Sequence, residues 1–531
     1  MRKVIIIGAG LSGLACAVTL AKAGRECLLI SKQVSERAQS VLAEGGINAA
    51  LDVMGENDDA ALHFEDTMKG GCYLANEEAV RGLAENAPGI VRWLMGLGVP
   101  FNMENGRIVQ RAFGGQKKRR TAFAKSSTGK MIMSALIDEA RKYEAAGLIA
   151  RKPNREFIRL ITNGSECRGV LTADTRSGQC FEEHGVSVMC TGGMNGIFPG
   201  VTTGTTANSG DAAAMLYLQG VRFSNLEMIQ YHPTTIAIAG KRCLVTEAAR
   251  GEGGRLFINK GGQRYYFMED RHPELGNLSP RDVVAREMFF VRRESEGEGV
   301  YLDMTGIDES VWQRRLPDLR EEIKEQTGTD AKSEPIPVKE GIHYFMGGID
   351  VDKRHRTSMK DLYAAGECTS IYHGANRLGG NSMLGAIYGG RTAAEDIIAS
   401  YGVQDGQEEK ESVHSLNEEY AAEADTGLIY RIRDILLSGL GIVRNESEIK
   451  KSIAELSLLK GERQYNLRER ARIELADALL ECALIRRESR GAHYREDYPT
   501  RDDERFGSMT YAQYENGRAI YGFKGRSEGE A

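Results

Sequence analysis

No stretch of the 531 residues reaches the run of about 18 to 20 apolar residues that a membrane-spanning helix requires, so no direct membrane insertion is expected. Grouped cysteines are missing too. Nine cysteines stand far apart, at 16, 27, 72, 167, 180, 190, 243, 368 and 482, and none forms a CxxC. Disulfide frameworks and zinc or iron–sulfur clusters need grouped thiols, so no cluster and no metal site of its own is expected. An excess of positive charge is also absent. The net charge of −6 argues against a nucleic-acid surface, and the one dense basic run of the first half, "QKKRR" at 116–120, reads as a solvated face. The opening "MRKVIIIGAG" turns into glycines too soon for a signal peptide, which makes a cytoplasmic protein the expectation. No internal repeat is found.

What is present begins with "KVIIIGAGLSGLACAVTLAKAG", a strand of β-branched residues, a glycine turn and a helix ending at Gly24, followed by a second strand in "RECLLISK". This is a βαβ unit with GxGxxG between strand and helix. Gly8, Gly10 and Gly13 permit the tight turn, the approach of backbone to a pyrophosphate and close helix packing, while the helix N-terminus favours phosphate. The second strand ends in Ser31 and Lys32, where a ribose-binding acid would be expected, so a plain NAD dehydrogenase is disfavoured.

Further along, "GVSVMCTGG" (185–193) and "DLYAAGECTS" (361–370) read as strands meeting glycine turns and returning to the first unit. Residues 232–344 read as an inserted domain, 402–412 as a linker, and the segments after it as helices by their periodicity. The expected order is therefore a Rossmann-like α/β domain in two parts (1–231 and 345–405), an inserted α+β capping domain (232–344) and a helical C-terminal domain (406–531). Arg377 stands in "HGANRLGGNSMLGA", a cation that cannot shed its charge set among close-packing glycines, and it implies an anion to be bound.

The blocks "AEGGINAA", "YHPTT", "TEAARGEGGR", "LSPRDVVAR", "HYFMGGIDVD", "GECTSIYHGANRLGGNS" and "SRGAHYREDYPTRDD" together resemble the flavoprotein family of succinate dehydrogenase, fumarate reductase and L-aspartate oxidase. The resemblance implies an FAD-binding domain with a capping domain over the flavin. By it, Ser31 and Lys32 match the family's own pair, and Gly45, Gly46, Asp211, Glu367 and Ser382 match FAD-contacting positions.

It further implies a small dicarboxylate substrate. His232 and Thr246 match the partners of one carboxylate, His343 and Arg377 those of the other. Arg281 matches the proton donor, with Glu247 and Arg250 as the relay that resupplies it while hydride passes from flavin N5 to fumarate. From chemistry alone, Arg281 reads as an anion clamp or an ion pair, since a guanidinium is a poor acid.

Two departures from the family pattern narrow the expectation. Gln39 stands where the membrane-complex enzymes carry a histidine bonded to flavin; an amide cannot make that bond, so FAD is expected to be non-covalent and fumarate reduction favoured. Phe113 stands where L-aspartate oxidases carry a glutamate, which favours a substrate without an ammonium group. The alternatives are L-aspartate oxidase, a reductase of another α,β-unsaturated carboxylate, and a flavin-binding electron-transfer subunit without turnover. An iron–sulfur or other electron-donor protein is the partner that the family suggests.

Overall fold

The computed structural model describes residues 3–125, 127–238, 240–316, 318–401, 412–415 and 425–525. Its centre is a parallel five-stranded sheet in the order Leu362–Ala364, Val186–Met189, Val4–Ile7, Cys27–Ser31, Ile149–Pro153. All four residues of Val4–Ile7 are buried, as in a strand covered on both faces. Of the two segments read as returning strands, Val186–Met189 lies beside it and Leu362–Ala364 pairs with Val186–Met189 at the edge of this sheet.

From Ile7 the chain turns into helix Leu11–Lys22. A Cβ on Gly8 would stand 2.1 Å from the Cys190 carbonyl oxygen, and one on Gly13 1.8 Å from that of Gly8. Any side chain at either position would push the helix off the sheet.

A second, antiparallel sheet of six strands runs Lys241–Leu244, Ile229–Ile238, Ile336–Phe345, Val300–Asp303, Arg255–Lys260, Gln263–Tyr265. It has its own apolar cluster around Leu256, Phe267, Met288, Leu302 and Trp312. The boundaries drawn at 231/232 and 344/345 fall inside Ile229–Ile238 and Ile336–Phe345 rather than in loops. These two strands join the two cores: Ile229, Ile342 and Phe345 pack in the main one, Ile236 and Val338 in that of the second sheet. Between His232 and Thr235 the register shifts, which accommodates Pro233, a residue with no N–H to give to the ladder.

Helices Thr426–Gly439, Glu446–Gly461 and Leu467–Ile485 supply the expected helical part. Asn466 and Glu469 cap the last of them reciprocally. The chain then ends in a feature that helical periodicity did not reveal. Thr510–Glu515 and Arg518–Phe523 form a hairpin paired onto Phe223–Ser224, turned at Asn516 and Gly517 with φ of 50° and 78°. Asn-Gly is the pair such a turn favours. The linker expected at 402–412 lies outside the described residues except for Ser412, which opens strand Ser412–Ser415 against Gln179–His184.

Two charged motifs turn out to be internal. Arg486 donates to Glu227 at 2.6 Å and to Glu488 at 2.8 Å, and Arg490 also engages Glu488, all with fully buried side chains. This network ties the C-terminal part to the segment that leads into Ile229–Ile238. The run at 116–120 is not a plain solvated face: Arg120 is fully buried between Asp58 at 2.8 Å and Asp66 at 2.9 Å, while Arg119 pairs with Glu56 at 2.6 Å. The acids of "GENDDAALHFED" supply the compensating charge.

Candidate active site

A cavity of about 990 Å³ opens at the carboxyl ends of the parallel strands, where ligands sit in open α/β sheets, and is closed from the other side by the six-stranded sheet. Gly8, Gly10, Ser31, Lys32, Gly45, Gly46, Asp211, Glu367 and Ser382 all line it, whereas Gly13 lies packed against Gly8 behind the turn. Ser31 Oγ donates to the Gln33 carbonyl at 2.7 Å, and Lys32 pairs with Glu156 at 3.3 Å. Asp211 opens helix Asp211–Leu218, accepts from Ser209 Oγ at 2.8 Å and is held by Arg472 at 2.5 Å. Ser382 sits in the first turn of helix Asn381–Ser400. Glu367 accepts from the Phe345 N–H at 3.2 Å, and burial pushes its carboxyl up to about 7. Close-packed glycines beside a helix N-terminus, with a buried acceptor beyond, fit a dinucleotide such as FAD. Gln39 lines the same space, its Oε1 accepting from the Thr205 N–H at 2.5 Å.

At the inner end the six-stranded sheet brings His232 and His343 together on adjacent strands, their ring centroids 5.1 Å apart and their planes inclined at 63°. His343 Nδ1 meets Thr203 Oγ1 at 2.7 Å, and His232 Nδ1 faces the Thr234 carbonyl at 3.1 Å. His232 Nε2 is buried without a hydrogen-bond partner. Thr246 lines the cavity next to Glu247. Helix Arg281–Glu294 starts here, behind Pro280, and puts Arg281 at its first residue, a position that proline before the helix favours by fixing the entering chain. Arg281 Nε and Nη2 donate to Glu247 Oε2 at 2.7 and 2.5 Å.

Glu247 precedes the short helix Ala248–Gly251, and this turn brings Arg250 to 3.9 Å from it, i and i+3 as the spacing requires. Burial pushes Glu247 up, but Arg281 and Arg250 outweigh it, so the carboxylate is held below its ordinary range. Arg250 lies behind Glu247, donating to the Asn277 carbonyl at 2.6 Å, with its pKa pulled by burial to about 10. Phe113 packs on Gly45, within the cavity wall.

Arg377 enters from the opposite, parallel-sheet side. Its side chain is buried, its Nε has no hydrogen-bond partner, and no ion pair to it is found among the described residues. Its guanidinium carbon lies 4.4 Å from the centre of the Tyr344 ring, a cation–π contact. Burial first, then Arg281, bring its pKa down to about 9. Three guanidiniums (Arg250, Arg281, Arg377) thus gather around Glu247, with the Glu367 carboxyl also acting on Arg377, an arrangement that favours an anionic ligand.

Motif reading passed over three further residues. Gln230 accepts from Arg281 Nη1 at 3.2 Å; it stands two positions before His232 on one strand, and that period-two spacing was a usable signal. Tyr344 under Arg377 and Thr203 on His343 carried no such signal, because their role depends on chain segments far apart in sequence.

Five histidines (63, 232, 355, 373 and 493) are buried and His343 is half-buried on the cavity wall, and desolvation lowers the pKa of each of the six. Neutral when folded, each takes up a proton on unfolding below its free value of about 6.5. The stability present above that pH is lost as pH falls toward the folded values, by up to ~1.4 kcal/mol per histidine per pH unit. Melting curves at pH 7.5, 6.5 and 5.5 should show a midpoint nearly constant over the first interval and falling over the second.

Comparison with known proteins agrees with this geometry. Residues 3–383 match the model of the FAD binding domain, and residues 430–521 that of the fumarate reductase flavoprotein C-terminus. The chain is 34% identical to the succinate dehydrogenase flavoprotein subunit of Bacillus subtilis, over 96% of this chain and 94% of that one. It is 32% identical to the 8-methylmenaquinol:fumarate reductase flavoprotein subunit of Wolinella succinogenes, over 98% and 90%. A solved E. coli quinol fumarate reductase superposes with a TM-score of 0.84 at 29% identity, over 99% of this chain and 98% of that one. No helix among the described residues is long and apolar enough to cross a membrane. The chain therefore belongs to the succinate dehydrogenase and fumarate reductase flavoprotein family, FAD-dependent oxidoreductases that interconvert succinate and fumarate at their central CH–CH bond.

Proposed function

We propose that this flavoprotein works mainly as a fumarate reductase, with FAD held without a covalent bond and Arg281 as the proton donor. The observation that carries this reading is the buried Arg377, which among the described residues has no anionic partner and shares a cavity with Arg281 and with His232 Nε2, likewise without a partner there. A small dianion supplies what both lack. Arg377 and His343 take one carboxylate; His232 and Thr246 take the other. Both histidines are neutral near pH 7, since burial pushes them well below their ordinary value, so they act as oriented donors rather than charges. When bound and reduced by an electron donor, FAD would supply the hydride to one alkene carbon.

Arg281 then delivers a proton to the neighbouring carbon. Its guanidinium is fixed in one orientation by Glu247 and Gln230 at the cavity wall. Glu247, in contact with both Arg281 and Arg250, returns the proton from the far side. Phe113 offers no acceptor for an ammonium group, in keeping with an unsubstituted diacid. The relatives are named as flavoprotein subunits, which supports an iron–sulfur or other electron-donor protein as partner.

Assayed with reduced viologen dye, the purified protein should reduce fumarate fast and oxidise succinate slowly. Hydrogen peroxide on adding L-aspartate, with no fumarate reduction, would instead identify an L-aspartate oxidase. The Gln39 amide, already engaged by the Thr205 N–H, cannot carry the flavin bond. Acid precipitation should therefore release yellow cofactor into the supernatant; flavin remaining on the chain would overturn the non-covalent reading.

A further inference from the structure

Glu247 engages two nitrogens of Arg281, and the third, Nη1, depends on an oxygen of Gln230 at 3.2 Å. An amide can equally offer an NH2 group, which would repel a guanidinium, so something must set which end faces Arg281. The buried Gln230 Nε2 is occupied twice, donating to Asn376 Oδ1 at 2.7 Å and to the Arg377 carbonyl at 2.9 Å. Asn376 in turn presents its oxygen to Gln230 because its own Nδ2 donates to Asp282 Oδ1 at 2.8 Å. The series ends on a carboxylate, a group that when ionised only accepts. Asp282 has an 11% exposed side chain, which also faces the N–H groups of residues 282 and 283 and lies 4.0 Å from Arg286.

We infer that Asp282 is a positioning residue: through Asn376 and Gln230 it fixes the direction of two amides, so that an oxygen faces the proton-donating Arg281. The inference rests on the reading of Arg281 as proton donor. It gives Asp282 a role quite different from that of its neighbour in sequence. An asparagine at 282 must turn its NH2 either toward the helix N–H groups and Arg286 or toward Asn376 Nδ2. The cation and the N–H groups favour its oxygen on their side, so the mismatch passes to Asn376 and on to Gln230. There either the Arg377 carbonyl or Arg281 loses a proper partner.

The direction of the series, not the carboxylate itself, is what matters, and a swap separates the two. In the double variant Asp282→Asn/Asn376→Asp, the carboxylate at 376 accepts from Gln230 Nε2 and from the new amide at 282. The oxygen of that amide stays with the helix N–H groups and Arg286, and every group is again satisfied.

The test uses the FAD-loaded full chain, with kcat and KM for fumarate measured under reduced viologen and FAD content read by absorbance. Asp282→Asn should lower kcat about 10-fold with KM changed less than about threefold and FAD retained. The swap should restore kcat to within about threefold of the parent protein. A merely structural role for Asp282 gives no reason for that recovery. Wild-type kcat in Asp282→Asn, or a swap as slow as the single variant with FAD bound, overturns the inference. If Asp282→Asn fails to load FAD, the swap is compared with the parent protein alone: restored turnover supports the inference and its loss overturns it. Arg281→Lys is the control for the reading beneath it; turnover retained there would sink the proton-donor role itself, whatever the swap shows.

Discussion

Replacing Arg281 with glutamine should lower fumarate turnover by at least about 10³-fold while FAD stays bound. Glutamine keeps a polar tip but loses the fork that two Glu247 bonds and one Gln230 bond hold in a single orientation at the start of helix Arg281–Glu294. It also loses the charge that holds Glu247 below its ordinary range, so the relay and its terminal donor fail together. Lysine should do little better, because its single point charge cannot reproduce the bidentate contact. The cavity-lining glycines Gly8 and Gly10 lie on the parallel-sheet side, away from this helix. The check is a turnover assay paired with the flavin absorbance of the same preparation. A variant that loses flavin and activity together would speak of folding rather than of proton donation.

Arg377→Met should have two opposite effects. Without substrate the protein should become more stable, by about 1–3 kcal/mol, since the native chain buries a guanidinium with no ion-pair partner among the described residues and removing it relieves that penalty. Fumarate binding should nevertheless weaken by about 3–5 kcal/mol, a loss of two to three orders of magnitude or more in affinity, because one carboxylate is then desolvated against an uncharged side chain. Methionine keeps apolar contact with the Tyr344 ring, so packing is largely preserved. Thermal melting without ligand, beside KM for fumarate, measures both signs at once. A destabilised variant with unchanged KM would mean that Arg377 serves the fold rather than the substrate.

That opposition also explains what could be read from the chain before folding and what could not. Gly8, Gly10 and Gly13 could be interpreted locally, because a strand, a turn and a helix follow one another within two dozen residues. Arg377, Arg281 and the two histidines stood out through family motifs, yet nothing local told that they converge. His232 and His343 meet because two ten-residue strands pair, and Arg377 reaches the same cavity from the loop before helix Asn381–Ser400. The burial of Arg120 needed Asp58 and Asp66, some sixty residues away in the sequence, which turns an apparently solvated run into an internal ion-pair cluster. The closing hairpin shows the reverse case. Its Asn516-Gly517 turn and alternating flanks were a local signal, masked by the strong helical periodicity just before them.

The most direct test is a structure of the FAD-loaded protein with fumarate or malonate. One carboxylate should lie within hydrogen-bonding reach of Arg377 and His343, the other of His232 and Thr246, with Arg281 against the carbon chain between them. A diacid bound away from Arg281, or a cavity that takes up none at saturating concentration, would contradict the account.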